Sequence, residues 1–276
     1  MLRQFRQVDV FTDVPYQGNP LAVVLGADGV TTEKMQRFAN WTNLSETTFV
    51  LEPDDDRADY QVRIFTPSQE LPFAGHPTLG SCHAWLEAGG SPHAAGTVIQ
   101  QCGAGLVTVG TDDRGLKFGA PPLVRSGPVD EQLAVHVADI LRIGRHEIVD
   151  LQWADNGPGW IAVLLASADA VLAVTPGPTD LDLGIAGPYP SGGPAAFEVR
   201  AFLPKNGTTD EDPVTGSLNA SLAQWLLTTG RAQAPYVARQ GTVLGRSGQV
   251  YISADADGQV WVGGGTVTCI SGTVDL

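Results

Sequence analysis

Apolar and polar positions alternate over Phe5–Phe11, the two-residue period of a half-buried strand. Tyr16-Gln17-Gly18-Asn19-Pro20 reads as a turn, and Leu21–Leu25 as a buried strand. Thr31 or Thr32 is placed to cap a helix on which Met35, Phe38 and Trp41 recur at helical spacing. Asn43-Leu44-Ser45-Glu46-Thr47 leads into a strand over Thr48–Leu51, and a further strand covers Tyr60–Pro67. A helical stretch then runs to about Ala88. Thr97–Gln101 and Leu106–Val109, joined by Gly103-Ala104-Gly105, form an expected hairpin. The run from Ala120-Pro121-Pro122 to Ser126-Gly127-Pro128 reads as a linker, and Gly263-Gly264-Gly265 as a flexible break. The segment Thr266–Leu276 is a candidate to cross back and complete the first half.

After the linker the series begins again. Asp155–Leu165 echoes Gln17–Leu25, and Phe197–Pro204 matches Tyr60–Pro67 nearly residue for residue. Glu70-Leu71-Pro72-Phe73-Ala74-Gly75-His76 returns as Glu211-Asp212-Pro213-Val214-Thr215-Gly216-Ser217, and each copy runs into an apolar helical pattern ending in Trp-Leu. Arg63 and Arg200, Gly18 and Gly157, and Gly75 and Gly216 are separated by 137, 139 and 141 positions. Three matches in one order at a nearly constant offset indicate two similar halves, each mostly strands around one apolar helix. With few other helical stretches to cover sheet faces, a sheet curled around its own helix would bury the core of each half. The expected division is residues 1–120 with 266–276, and 121–265.

Of the 276 residues, 43% are hydrophobic and 17% charged, enough for a sizeable core and against disorder. No apolar run approaches membrane-spanning length, and the N-terminus lacks a signal core, so a soluble cytoplasmic protein is expected. Cys82, Cys102 and Cys269 are scattered and lack metal-site spacing, so no metal site is expected. The net charge of −14 argues against nucleic acid or an anionic membrane as partner. It also means that an anionic substrate needs a local positive field.

The repeated helix starts can supply that field. A first helical turn has unpaired N–H groups and the positive end of the dipole, so Gly75 and Gly216 could each face a carboxylate without a lysine or arginine. A glycine that only permits a tight turn is the plainer alternative. His76 and Ser217 follow the two glycines, where a structural histidine and a helix cap are the plainer readings. Asp212 stands where the first copy has Leu71. The order His76…Asp212…Ser217 suggests a hydrolase, but Thr215-Gly216-Ser217-Leu218-Asn219 lacks the second glycine of a nucleophile elbow. Glu46 places one carboxylate among small and apolar neighbours, a setting suited to acid/base work.

Val8-Asp9-Val10-Phe11-Thr12, Gly18-Asn19-Pro20, Asn43-Leu44-Ser45-Glu46-Thr47, Arg63-Ile64-Phe65-Thr66-Pro67 and both Glu-x-Pro-x-x-Gly copies together resemble the phenazine-biosynthesis PhzF-like family, of the diaminopimelate epimerase-like fold. The resemblance implies an α+β fold of two pseudo-symmetric, β-barrel-like halves, each wrapped around a central helix, with the active site in the cleft between them. It also implies a homodimer, no cofactor and a small carboxylate substrate. Glu46 would be the catalytic acid/base, and Gly75, His76, Asp212, Gly216 and Ser217 would bind substrate. Epimerases of this fold carry a cysteine just before each glycine. Here Ala74 and Thr215 stand there, so a two-thiol mechanism is excluded and a one-carboxylate proton shuttle remains. The alternative is a non-catalytic binding or regulatory member of the same fold.

Overall fold

Two helices, each with most of its residues buried, anchor the structure. A computed structural model describes residues 1–276, and its contacts divide the chain into Met1–Gly119 with Gly263–Leu276, and Ala120–Val262. The first unit contains β1 (Leu2–Val10), β2 (Asn19–Leu25), α1 (Thr32–Thr42), β3 (Thr47–Leu51), β4 (Tyr60–Phe65), β5 (Glu70–Leu71), α2 (Gly75–Glu87), β6 (Thr97–Cys102), β7 (Gly105–Asp112) and β8 (Gly115–Gly119). The second contains β9 (Arg125–Pro128), α3 (Glu131–Leu141), β10 (Ile148–Asp155), β11 (Ile161–Leu165), α4 (Ala168–Ala173), β12 (Leu183–Pro188), β13 (Phe197–Lys205), β14 (Thr208–Asp212), α5 (Gly216–Thr228), β15 (Tyr236–Gln240) and β16 (Gly248–Ala254). The unit boundary falls within β17 (Val260–Gly264), and β18 (Thr266–Asp275) belongs to the first unit. No helix is long and apolar enough to cross a membrane.

The duplication is visible in the pairing. In the first unit β1 and β2 are antiparallel, β2 and β3 parallel, β3 and β4 antiparallel, and β4 and β6 parallel. In the second, β10 and β11, β11 and β12, β12 and β13, and β13 and β15 repeat that order. The growth of the offset from 137 to 141 has a local cause. Phe65 pairs with Glu70 across four intervening residues, whereas Phe202 pairs with Glu211 across eight. The second hairpin is simply longer.

Burial explains the two central helices. Residues Gly75 to Cys82 of α2 are all buried, and the helix lies against β1, β2, β3, β6, β7, β8 and β18. A helix buried on most sides needs strands around it. Close approach is reached differently in the two units. In the first, Gly80 removes the Cβ from the helix, where it would sit 2.6 Å from Leu21 Cδ2. In the second, Gly184 removes it from the strand, where it would sit 2.1 Å from Leu218 Cδ1.

Three details differ from the sequence expectation. The outer sheet faces are covered by further helices: Met35 and Ala39 of α1 pack on Val24, Phe49 and Phe65, while α3 and α4 pack on Ile161, Val163 and Ile185. The expected linker is partly β9, which pairs with β10. Gly263-Gly264-Gly265 is not a flexible break but a buried strand end and crossing. A Cβ on Gly263 would meet Leu116 O at 2.8 Å and one on Gly265 would meet Asp13 Oδ1, so these two glycines serve close packing. The tail does return, with β18 pairing antiparallel along β1 from Leu2↔Asp275 to Val10↔Thr266.

Candidate active site

Glu46 lies in the short link between α1 and β3. Asn43 ends α1 in the left-handed conformation (φ 55°), its N–H donating to Ala39 O. Thr42 and Thr47 share a hydroxyl hydrogen bond of 2.9 Å, and buried Thr48 accepts from Ser81 Oγ on α2. These contacts on both flanks limit where the Glu46 carboxylate can go. Its Oε2 lies 3.4 Å from His76 Nε2, with the glutamate side chain 16% and the histidine side chain 5% exposed.

His76 is the second residue of α2. Burial pushes its imidazole down to about 3, so the ring is neutral at neutral pH. The His76–Glu46 approach is therefore not an ion pair but a neutral ring beside a carboxyl group. The other ring nitrogen, Nδ1, is 3.5 Å from the side-chain amide of Asn19, a residue with no solvent exposure. Asn19 is held in turn by its turn: Gly18 N–H donates to the buried carboxylate of Asp9. At Gly18 any Cβ would sit 2.1 Å from Val10 O, which is why glycine stands there. Asn19 and Asp9 lie in the motifs that carried the family resemblance but were not assigned to the site.

In the second unit Asp212 ends β14 and accepts at Oδ2 from the Thr215 hydroxyl at 2.6 Å. Ser217, second in α5, accepts at Oγ from Trp160 Nε1 at 3.1 Å, and its carbonyl accepts from Asn156. The loop carrying Asn156 and Trp160 is shaped by Asp155, which accepts from Gly157 N–H and Gly159 N–H. Nearby Asp182 is pushed up to about 6 by burial and by the Asp155 charge. Ser217 Oγ is thus held by an indole donor, with neither imidazole nor carboxylate of its own unit bonded to it. That is the wrong partner for a serine nucleophile.

The structure brings Glu46, Gly75 and His76 together in the first unit. Asp212, Gly216 and Ser217 cluster in the second, where Asp212 and Ser217 keep separate hydrogen-bond partners. Neither helix start is capped by a side chain: Ala74 has none to offer, and the Thr215 hydroxyl is turned to Asp212. In α2 the first-turn N–H groups are those of Gly75 and His76, since Pro77 has none. In α5 they are those of Gly216, Ser217 and Leu218. A concavity of about 350 Å³ in the second unit, lined by Tyr189, Phe197, Arg231 and Tyr236 among others, contains none of these residues. Of its polar groups, Tyr189 is engaged with Glu198 and Arg231 with Asp150.

The residues missed from sequence are two buried glutamines. Gln100 on β6 accepts from Tyr60 Oη and donates to Thr78 Oγ1 of α2. Gln240 on β15 makes four hydrogen bonds to the lead-in and first turn of α5. They stand 140 positions apart, inside the range of the repeat, and each is followed by a glycine-containing turn. That spacing was the signal.

A family model for phenazine biosynthesis-like proteins (PhzC-PhzF) matches residues 8–272. Antisense-enhancing sequence 1 of Schizosaccharomyces pombe is 35% identical, covering 97% of both chains. The trans-2,3-dihydro-3-hydroxyanthranilate isomerase of Pseudomonas aeruginosa is 32% identical over 94% of this chain and 92% of that protein. Among solved structures, a PhzF-family phenazine biosynthesis protein of Bacillus anthracis superposes with a TM-score of 0.84 at 22% identity, covering 100% of both chains. A hydroxyproline epimerase of Agrobacterium vitis shares the fold more distantly, with a TM-score of 0.59 at 16% identity over 99% of this chain and 92% of that one. The matches run nearly the full length of a chain whose duplicated pairing order and glutamate–histidine contact are already established, and the protein is an isomerase of the phenazine biosynthesis-like family.

Proposed function

We propose that the protein moves a proton between two carbons of a small cyclic amino or hydroxy carboxylic acid, as in trans-2,3-dihydro-3-hydroxyanthranilate isomerisation, with Glu46 as the single acid/base. The observation that carries this reading is the 3.4 Å approach of Glu46 to a buried, neutral His76. A charged imidazolium would hold the carboxylate in its ionised form. A neutral ring can donate to the carboxylate or accept from the carboxylic acid, so it suits a group that must be base first and acid second.

The steps balance without a second reactant. The Glu46 carboxylate takes a proton from one ring carbon, and the C–H electron pair passes into the conjugated system and toward the substrate carboxylate. The protonated Glu46 then returns the proton to another carbon on the same face. Donors aimed at the developing negative charge stabilise the transition state more than the ground state. The uncapped N–H groups at Gly75-His76 and Gly216-Ser217 have that character, and Asp212 is an acceptor for a substrate amino or hydroxyl group. A homodimer belongs to the same reading and is checked by light scattering.

The test is hydrogen exchange at carbon. Incubated with trans-2,3-dihydro-3-hydroxyanthranilic acid or related cyclic acids in heavy water, the wild-type protein should introduce deuterium at carbon. Glu46→Gln should fold normally and lose this activity by about three or more powers of ten. Wild-type-like exchange in Glu46→Gln would sink the assignment, and tight binding without exchange in the wild type would mark a binding protein instead.

A further inference from the structure

Asp212 is held by a hydrogen-bond chain in which the direction of every proton can be read. Gln240 has no solvent exposure. Its Oε1 accepts from Thr215 N–H at 3.0 Å, and a backbone N–H can only donate. Its Nε2 donates to Asp212 O at 3.0 Å, and a carbonyl can only accept. These two backbone groups fix the orientation of the amide. Buried Asn219 agrees with it, donating to both Gln240 Oε1 (2.8 Å) and Thr215 O (2.9 Å). The second Nε2 proton therefore goes to Thr215 Oγ1, at 3.0 Å. With its oxygen accepting from Gln240, the Thr215 hydroxyl has one proton left to give, and Asp212 Oδ2 lies 2.6 Å away.

We infer that Gln240 and Thr215 are positioning residues for Asp212: Gln240 orients the Thr215 hydroxyl, and that hydroxyl holds one oxygen of the carboxylate as an acceptor. The inference rests on the role given to Asp212 above. The first unit provides an internal control. There Leu71 stands in place of Asp212 and Ala74 in place of Thr215, and the matching glutamine, Gln100, turns to Tyr60 and Thr78 instead. The repeat supplies a buried glutamine in both units, and it points at the lead-in only where that lead-in holds an aspartate and a threonine. The arrangement also explains why Thr215, a residue type favoured at helix caps, does not cap α5. Its hydroxyl is committed elsewhere, which leaves the first-turn N–H groups without a side-chain acceptor.

Four variants and two readouts test this. Thr215→Val keeps the shape and removes the proton. It should lower kcat/KM in the heavy-water exchange assay about 10- to 100-fold, the effect of losing a hydrogen bond to a charged group. Thr215→Ser should recover most of the loss. In an Asp212→Leu background, leucine being the residue found at this place in the first copy, Thr215→Val should cost almost nothing more, because the acceptor through which Thr215 acts is gone. Independently of turnover, urea unfolding of the two single variants and the double variant should show that the losses do not add. If wild-type protein shows no exchange, the functional reading fails and the lock is judged on unfolding alone. Additive losses in unfolding, wild-type activity in Thr215→Val, or no recovery in Thr215→Ser each overturn the inference. The charged groups on the surrounding elements, Lys205, Asp210 and Glu211 on the β13–β14 hairpin and Arg239 and Arg246 beside Gln240, are common to all variants and cancel.

Discussion

The same ion pair occurs once in each half, in two different environments. Arg63 and Glu70 join β4 to β5 at 2.6 Å with side chains 26% and 37% exposed, and Arg63 also donates to Thr32 of α1. Arg200 and Glu211 join β13 to β14 at 2.7 Å, 3% and 13% exposed. The second arginine also donates to Val171 O and Val174 O, carbonyls at the end of α4. Each guanidinium stacks on the phenylalanine two positions along its strand, Phe65 or Phe202. The difference is the short helix: the end of α4 closes over the second pair and takes both Nη1 protons of Arg200, whereas the first pair is more exposed. Duplication preserved the residues, and the covering element decides what they contribute.

The largest expected effect breaks this comparison directly. Glu211→Gln leaves a buried guanidinium without its counter-charge and should cost about 3–5 kcal/mol in urea unfolding. Glu70→Gln removes an exposed partner and should cost less than about 1 kcal/mol. Equal costs would mean that α4 does not isolate the second pair.

Next comes a pH effect confined to the first half, because its second-copy counterpart is Ser217. An unfolded histidine binds a proton below about pH 6.5, whereas folded His76 stays neutral down to about 3. The folded state therefore loses stability as the pH falls from about 6.5 toward 3, and nothing is lost above that window. At pH 5 the loss from this residue alone is about 2 kcal/mol. His76→Gln should flatten the acid side of the stability curve by that amount, measured by urea unfolding between pH 7 and 5. An unchanged slope would contradict a neutral, buried imidazole.

The smallest effect separates the outer helices. Asp130 caps α3, accepting from Leu133 N–H at 2.8 Å, whereas Thr31 caps α1 at 3.4 Å from Lys34 N–H. Asp130→Ala should cost about 1 kcal/mol and Thr31→Ala about half of that, read from thermal unfolding. The reverse order would show that cap distance is not what sets the difference.

The comparison also shows what the sequence can express. The central helices were legible because their lead-ins repeat and each runs on to Trp-Leu. Glu46 and His76 were nameable because each sits in a short, specific motif. The helix α3 carries a sound pattern in Leu133, Val137, Ala138 and Leu141, but it starts just past the expected linker, which ends at Pro128, and no element was assigned there. The strand β9 has no apolar period because it is four mostly exposed residues held only by β10. Gly263-Gly264-Gly265 imitates flexibility, since the crowding that requires glycine comes from Leu116, Lys117 and Asp13, distant in sequence. Gln240 could not be valued at all from its neighbours. Its four hydrogen bonds depend on the register that sets β15 beside β13.

One topological detail bears on how the chain is made. In the second half, β9 lies on β10 and precedes it by a short stretch of sequence. In the first half, the strand in the same place on β1 is β18, which follows everything else. A chain emerging from the ribosome therefore holds every strand of its second half before the last strand of its first half exists. Until residues 266–275 have been translated, β1 has an open edge of unpaired N–H and C=O groups. Closing that edge joins residues separated by nearly the whole chain, the slowest kind of contact to form. The half synthesised first is therefore the last to be sealed, and the half synthesised second is the one that can fold without waiting.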